Sequence, residues 1–200
     1  MPFSRLLTLT AIVGVSIFPS LSAAQDGNKS IQGEWTTDCL PIGKNGRHGY
    51  VTRITITDNE IKATSQIYAK RQCQTPTVQV NFAGSLIHDQ DEGGQVRIEH
   101  VVGTLTTTPN IKDVVDHYNK ETSDSAGCGL TGWQENVPVS VAGKTCGPFK
   151  FAAEGTHLYD SLWVAGNQLR FGAFPVAWTN TSAGKTPSKP LDTIYYRTGR

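Results

Sequence analysis

The residues of this 200-residue chain best equipped for chemistry are four cysteines, five histidines, a scatter of carboxylates and two Gly-Lys-Thr triplets. Cys39, Cys73, Cys128 and Cys146 lie too far apart for a zinc site, which needs close pairs two to four residues apart. No Cys-x-x-Cys is present for redox work. His48, His88, His100, His117 and His157 share no metal-ligand spacing, so no metal site is expected. The triplets Gly143-Lys144-Thr145 and Gly184-Lys185-Thr186 lack the earlier glycine of a phosphate-binding loop; Pro138 and Thr179 stand there instead. Glu34, Glu99, Asp113, Asp116 and Asp160 could act as acid and base, but nothing in their spacing selects a pair. Ser161 is not in a Gly-x-Ser-x-Gly elbow. The acids of 88–94 lack the ligand series of a calcium loop and read as a solvated hairpin tip. The expectation is a protein that is not an enzyme and carries no cofactor.

The segments that position these residues begin with an expected secretory leader, residues 1–24. Arg5 supplies its charge, Leu6 to Phe18 its apolar run, and Ser22-Ala23-Ala24 the small residues for cleavage. The run is too short to span a bilayer, and no later stretch is long enough, so no transmembrane segment is expected in the mature protein. No cysteine follows the cleavage site to take a lipid anchor. Cleavage leaves 176 residues, 25–200, as a single domain with equal numbers of acids and bases. A neutral balance without basic clusters argues against nucleic acid as a partner. In a periplasmic or secreted chain, four cysteines read as two disulfides. Three connectivities are possible. Cys39–Cys73 with Cys128–Cys146 is favoured because each closes a loop within one part of the chain, worth about 3 to 4 kcal/mol apiece.

Period-two alternation predicts strands over 31–38, 50–58, 60–69, 77–87 (with a bulge at Gly84), 95–107, 156–164, 168–174 and 191–197. Leu40 to Gly49 and Pro175 to Pro190 read as loops. Thr108 and Pro109 suit a helix start, and Ile111, Val114, Val115 and Tyr118 make its apolar stripe, predicting a helix over 109–120. Residues 121–155 form a long irregular connection that the second disulfide would pin. Eight strands suffice to close a small antiparallel up-and-down barrel, an all-β fold. Trp133, Trp163 and Trp178 with Phe149, Phe151, Phe171 and Phe174 crowd the C-terminal half, as core or as an aromatic-lined pocket under the 121–155 loop.

The first mature strand carries Gly33-Glu34-Trp35, and Arg197 stands near the end of the last. This pattern resembles the lipocalin and calycin group, whose first strand bears Gly-x-Trp and whose late Arg lies across the Trp. The segments Cys128-Gly129-Leu130-Thr131-Gly132-Trp133 and Gly143-Lys144-Thr145-Cys146-Gly147 are similar to those of secreted bacterial lipocalin-like proteins. The chain departs from lipocalins proper in showing no Thr-Asp-Tyr-like turn late in the barrel. The resemblance implies a lipocalin-like barrel with Gly33, Trp35 and Arg197 as structural residues. The functional expectation is non-covalent binding of a small apolar or amphipathic molecule. The alternative is an interaction protein, an inhibitor or envelope component, that engages a protein partner through the 121–155 loop.

Overall fold

A computed structural model describes residues 31–91, 94–120, 126–173 and 180–199. The expected leader, Trp178 and Phe174 lie outside the described residues. Eight antiparallel strands close into an up-and-down barrel: β1 (Gly33–Thr37), β3 (His48–Ile56), β4 (Glu60–Tyr68), β5 (Pro76–Asp91), β6 (Gln95–Pro109), β10 (His157–Ala165), β11 (Gln168–Phe171) and β12 (Tyr195–Thr198). Closure occurs because β1 pairs β3 on one edge and β12 on the other, with Trp35 opposite Ile54 and Arg197 respectively. Short strands extend the wall. β2 (Leu40–Ile42) continues β1 along β3, and β7 (Val139–Ser140) continues β10 along β6. A separate hairpin joins β8 (Thr145–Cys146) to β9 (Phe149–Lys150).

Alternation along each strand sends every second residue inward. Ile54, Ile56, Ile61, Phe82, Val96, Ile98, Leu105, Leu158, Leu162, Leu169 and Phe171 are all nearly or wholly buried and fill one half of the barrel. Where β1 leaves the ladder after Thr37, the Thr52 N–H loses a backbone partner, and the Thr37 hydroxyl accepts it at 3.0 Å.

Trp35 plugs this half, with no exposed surface, and its indole N–H donates to the Ile31 carbonyl at 2.8 Å. Arg197 lies over the ring, its guanidinium carbon 4.0 Å from the centroid, and donates to the Gln32 carbonyl. Burying an indole removes roughly 200 Å² from water, worth on the order of 5 kcal/mol. A cation held over a buried ring adds about 2 kcal/mol. Gly33 is required beside them: its φ is +121°, and a Cβ there would stand 2.6 Å from an Arg197 nitrogen.

Both disulfides take the favoured connectivity, Cys39–Cys73 and Cys128–Cys146. A register shift does lie beside Gly84, but the extra residue is Gly103 of the facing strand β6: Ala83 pairs with Thr104 and Gly84 with Val102. Four expectations need correction. Thr108 and Pro109 end β6 and do not open the helix, because Thr108 pairs with Gln79 and Pro109 with Val78. The helix, α1 (Lys112–Asn119), starts later and has no side-chain cap at Ile111. β5 continues through the expected turn at His88 as far as Asp91, since β6 offers it partners there. The loop at 40–49 contains β2, and the connection at 121–155 contains β7, β8 and β9.

Replacing Gly33 with Ala is expected to cost about 2 kcal/mol in chemical denaturation, from a strained φ and the clash with Arg197. In an Arg197→Ala background the cost should shrink by at least about 0.5 kcal/mol. Additive losses would show that Arg197 is not what excludes the Cβ.

Candidate functional site

The other half of the barrel is not filled. There β3 to β6 run past their short neighbours, and successive rungs cross four strands. Ile54, Ala63, Phe82 and Leu105 form an apolar rung in register. The next is Thr52, Ser65, Val80 and Thr107, and the outermost is Tyr50, Ile67, Val78 and Pro109. Together with Ile42 of β2, all members of these two upper rungs except Thr52 and Pro109 wall a cavity of about 170 Å³. Tyr118 of α1 closes one side, while Ala126, Cys146, Pro148, Phe149 and Phe151 cover it. No charged side chain lines it among the described residues.

The cover is fastened by specific contacts. Asn119, at the end of α1, accepts from the Trp133 N–H at 2.9 Å, and its amide donates to the Trp133 carbonyl at 3.0 Å. The Trp133 indole donates to the Gly127 carbonyl at 3.2 Å, and its ring meets Tyr118 edge-on with centroids 5.0 Å apart. Gly127 sits so close to the helix end that a Cβ would fall 2.4 Å from the Tyr118 carbonyl oxygen. Val141, fully buried, donates from its backbone to Leu105, and the Cys128–Cys146 bridge ties the two arms of the cover together. Phe149 stacks on Phe151 at the rim and remains 44% exposed.

The aromatic crowd of the C-terminal half therefore divides. Phe149 and Phe151 reach the cavity, Trp133 holds the cover, and Phe171 packs against Tyr195 in the filled half. The triplet Gly143-Lys144-Thr145 is a turn in the cover, with the Lys144 N–H on the Val141 carbonyl. The second triplet lies in a 3₁₀ turn at Ala183–Lys185. The sequence reading missed Ser65 and Thr107 as cavity residues. The available signal was a hydroxyl on the inward face of neighbouring, otherwise apolar strands.

The titratable candidates are dispersed. Asp116 pairs with Lys112 on α1, and His157 pairs with Glu99 across β10 and β6. His48 contacts the Ala69 carbonyl at 3.1 Å. Ser161 is buried and accepts from the Gln95 amide at 3.0 Å. Two buried groups stand apart from solvent on the inward face. His100, on β6, has its ring edge-on to Phe82 and an Nδ1 without a partner among the described residues. Burial lowers its pKa from 6.5 to about 4. Asp160, on β10, accepts from the backbone N–H of Ser161, Gly172 and Ala173 where β11 ends. Burial nevertheless raises its pKa from 3.8 to about 7, against those three donors.

These two groups drive stability in opposite directions. Between about pH 4 and 6.5 the unfolded chain holds a proton on His100 that the fold does not, so this group makes stability rise with pH. Between 3.8 and about 7 the fold holds a proton on Asp160 that the unfolded chain has released, so stability falls with pH. Asp160→Asn keeps the acceptor for the three N–H groups and removes the second slope. From pH 4.5 to 6.5, urea denaturation of this variant should show stability climbing relative to the parent by roughly 2 to 3 kcal/mol. His100→Leu should show the opposite trend, and parallel curves for all three proteins would refute both assignments.

No protein-family model matches the chain, and no curated protein matches it.

Proposed function

We propose that the protein is an exported, non-catalytic, lipocalin-like binding protein that holds a small apolar or amphipathic molecule at the barrel mouth. The observation that carries this reading is the apolar cavity between the upper rungs and the 126–151 cover. A side-chain-filled barrel has no need of such a space, whereas a binding site needs a concave, mostly apolar wall with a few polar atoms. The Trp35 plug supports the reading as well, since it leaves the covered mouth as the place where a ligand can be taken up. Two disulfides fit an oxidising compartment outside the cytoplasm, and with the leader they support a periplasmic or secreted location.

A second reading keeps the same surface and changes the occupant. Phe149 and Val137 are 44% and 43% exposed on the segment that covers the mouth. Exposed apolar side chains on a pinned loop suit contact with a protein partner, as an inhibitor or envelope component would make.

The test is titration of the mature, oxidised protein with toluene, followed by methyl NMR. Among Ile, Leu and Val methyls, shifts should be confined to Ile42, Ile67, Val78 and Val80, and Val80→Phe should abolish them while the thermal unfolding temperature stays within a few degrees. Should toluene leave these methyls unmoved while a stoichiometric protein partner is recovered from the envelope, the second reading replaces the first.

A further inference from the structure

The cavity has a size and a polarity that narrow the ligand class further than "small and apolar". An engineered apolar protein cavity near 150 Å³ accepts benzene. At about 170 Å³, this one takes a single six-membered ring with one small substituent, or a short chain of similar bulk. The filled half below offers no continuation, because Phe82 and Leu105 of the next rung are 3% and 1% exposed.

Polarity is set by one rung. Ser65 and Thr107 both line the cavity, one strand to either side of Val80, in register with it. Two strand spacings place their backbones roughly 10 Å apart across the wall. The Ser65 hydroxyl is engaged by the Thr52 hydroxyl at 2.7 Å. Among the described residues no hydrogen bond engages the Thr107 hydroxyl, and its oxygen is not sealed from the cavity that the residue lines. That hydroxyl is open to a partner from the cavity, and a ligand polar atom at this level would supply one. Among the described residues the lining holds no charge to neutralise a carboxylate or an ammonium, and burying either unpaired is prohibitive.

Building on the reading of the mouth as a binding site, we infer that its ligand is a small neutral hydroxylated molecule, one ring in size. The hydroxyl meets Thr107, with Ser65 as the flanking acceptor, and the apolar body lies between Val78, Val80 and Phe151. Phe149, exposed at the rim, borders the entrance.

Calorimetric titration with phenol, toluene and benzoate tests the assignment. Phenol and toluene should both bind the parent protein, and benzoate should bind at least a hundredfold more weakly than phenol. Thr107→Val keeps the shape and removes the hydroxyl, so it should lower the ratio of phenol to toluene affinity by about tenfold. Ser65→Ala should lower it less, because Thr52 already shares that hydroxyl. If toluene binds but Thr107→Val leaves the ratio unchanged, or benzoate binds as well as phenol, the inference fails while the binding reading stands. If none of the three binds the parent, the binding reading itself fails.

Discussion

Everything in this molecule depends on β1 satisfying two partners at once. Its five residues must bond to β3 on one side and to β12 on the other, or the sheet stays open with two raw edges. Five residues of ladder are a thin seam, and the chain reinforces it at one point. Trp35 fills the space inside the seam, Arg197 from the facing strand lies across its ring, and Gly33 leaves the room that Arg197 needs. The Arg197 guanidinium also binds the Gln32 carbonyl, so the same side chain holds the approach to β1 and its partner strand. Packing against Trp35, cation attraction and a side-chain hydrogen bond to the Gln32 carbonyl coincide on Arg197.

With that half sealed, the free volume of the fold collects at the opposite half. There the long strands β3 to β6 overhang the short ones, and a closed barrel with unequal strands must be finished by something other than sheet. The chain finishes it with α1, the pinned segment around Cys128–Cys146, and the Trp133–Asn119 clasp. This filler matches the wall incompletely, and the mismatch is the cavity. Neither disulfide touches the Trp35 seam. Cys39–Cys73 holds the turn between β4 and β5 to the bend between β1 and β2, and Cys128–Cys146 holds the cover.

The wall of the barrel was legible because half-buried strands impose a period of two, and residues such as Ile54, Ile56, Ile61 and Phe82 obey it. The register shift beside Gly84 was legible only in part: alternation runs unbroken through Phe82, Gly84 and Leu86, and the extra residue, Gly103, stands on the facing strand. The start of α1 was not. Thr108 and Pro109 carry strong local helix-start chemistry, but ladder partners on β5 hold them in the strand, and local preference yields to pairing made thirty residues away. The strand through His88 to Asp91 was hidden by polar residues that look like a turn. The cavity was hidden more deeply. Ser65, Val80 and Thr107 are unremarkable in their own strands, and they form a site only through registers that no single segment encodes. Phe171 illustrates the converse: an aromatic that composition places with Phe149 and Phe151 packs instead on Tyr195.

The seam between β1 and β12 also orders events in time. Both disulfides close short stretches, 34 and 18 residues apart in sequence, whereas Trp35 must wait for Arg197, 162 positions later. A chain made from its N-terminus can therefore pair β3, β4 and β5 and oxidise Cys39 with Cys73 while its last strand does not yet exist. Until that strand arrives, the indole of Trp35 and the outer edge of β1 remain unsatisfied. Loop-closure entropy falls heaviest on this last and most distant pairing, which makes barrel closure the slow and aggregation-exposed stage of assembly.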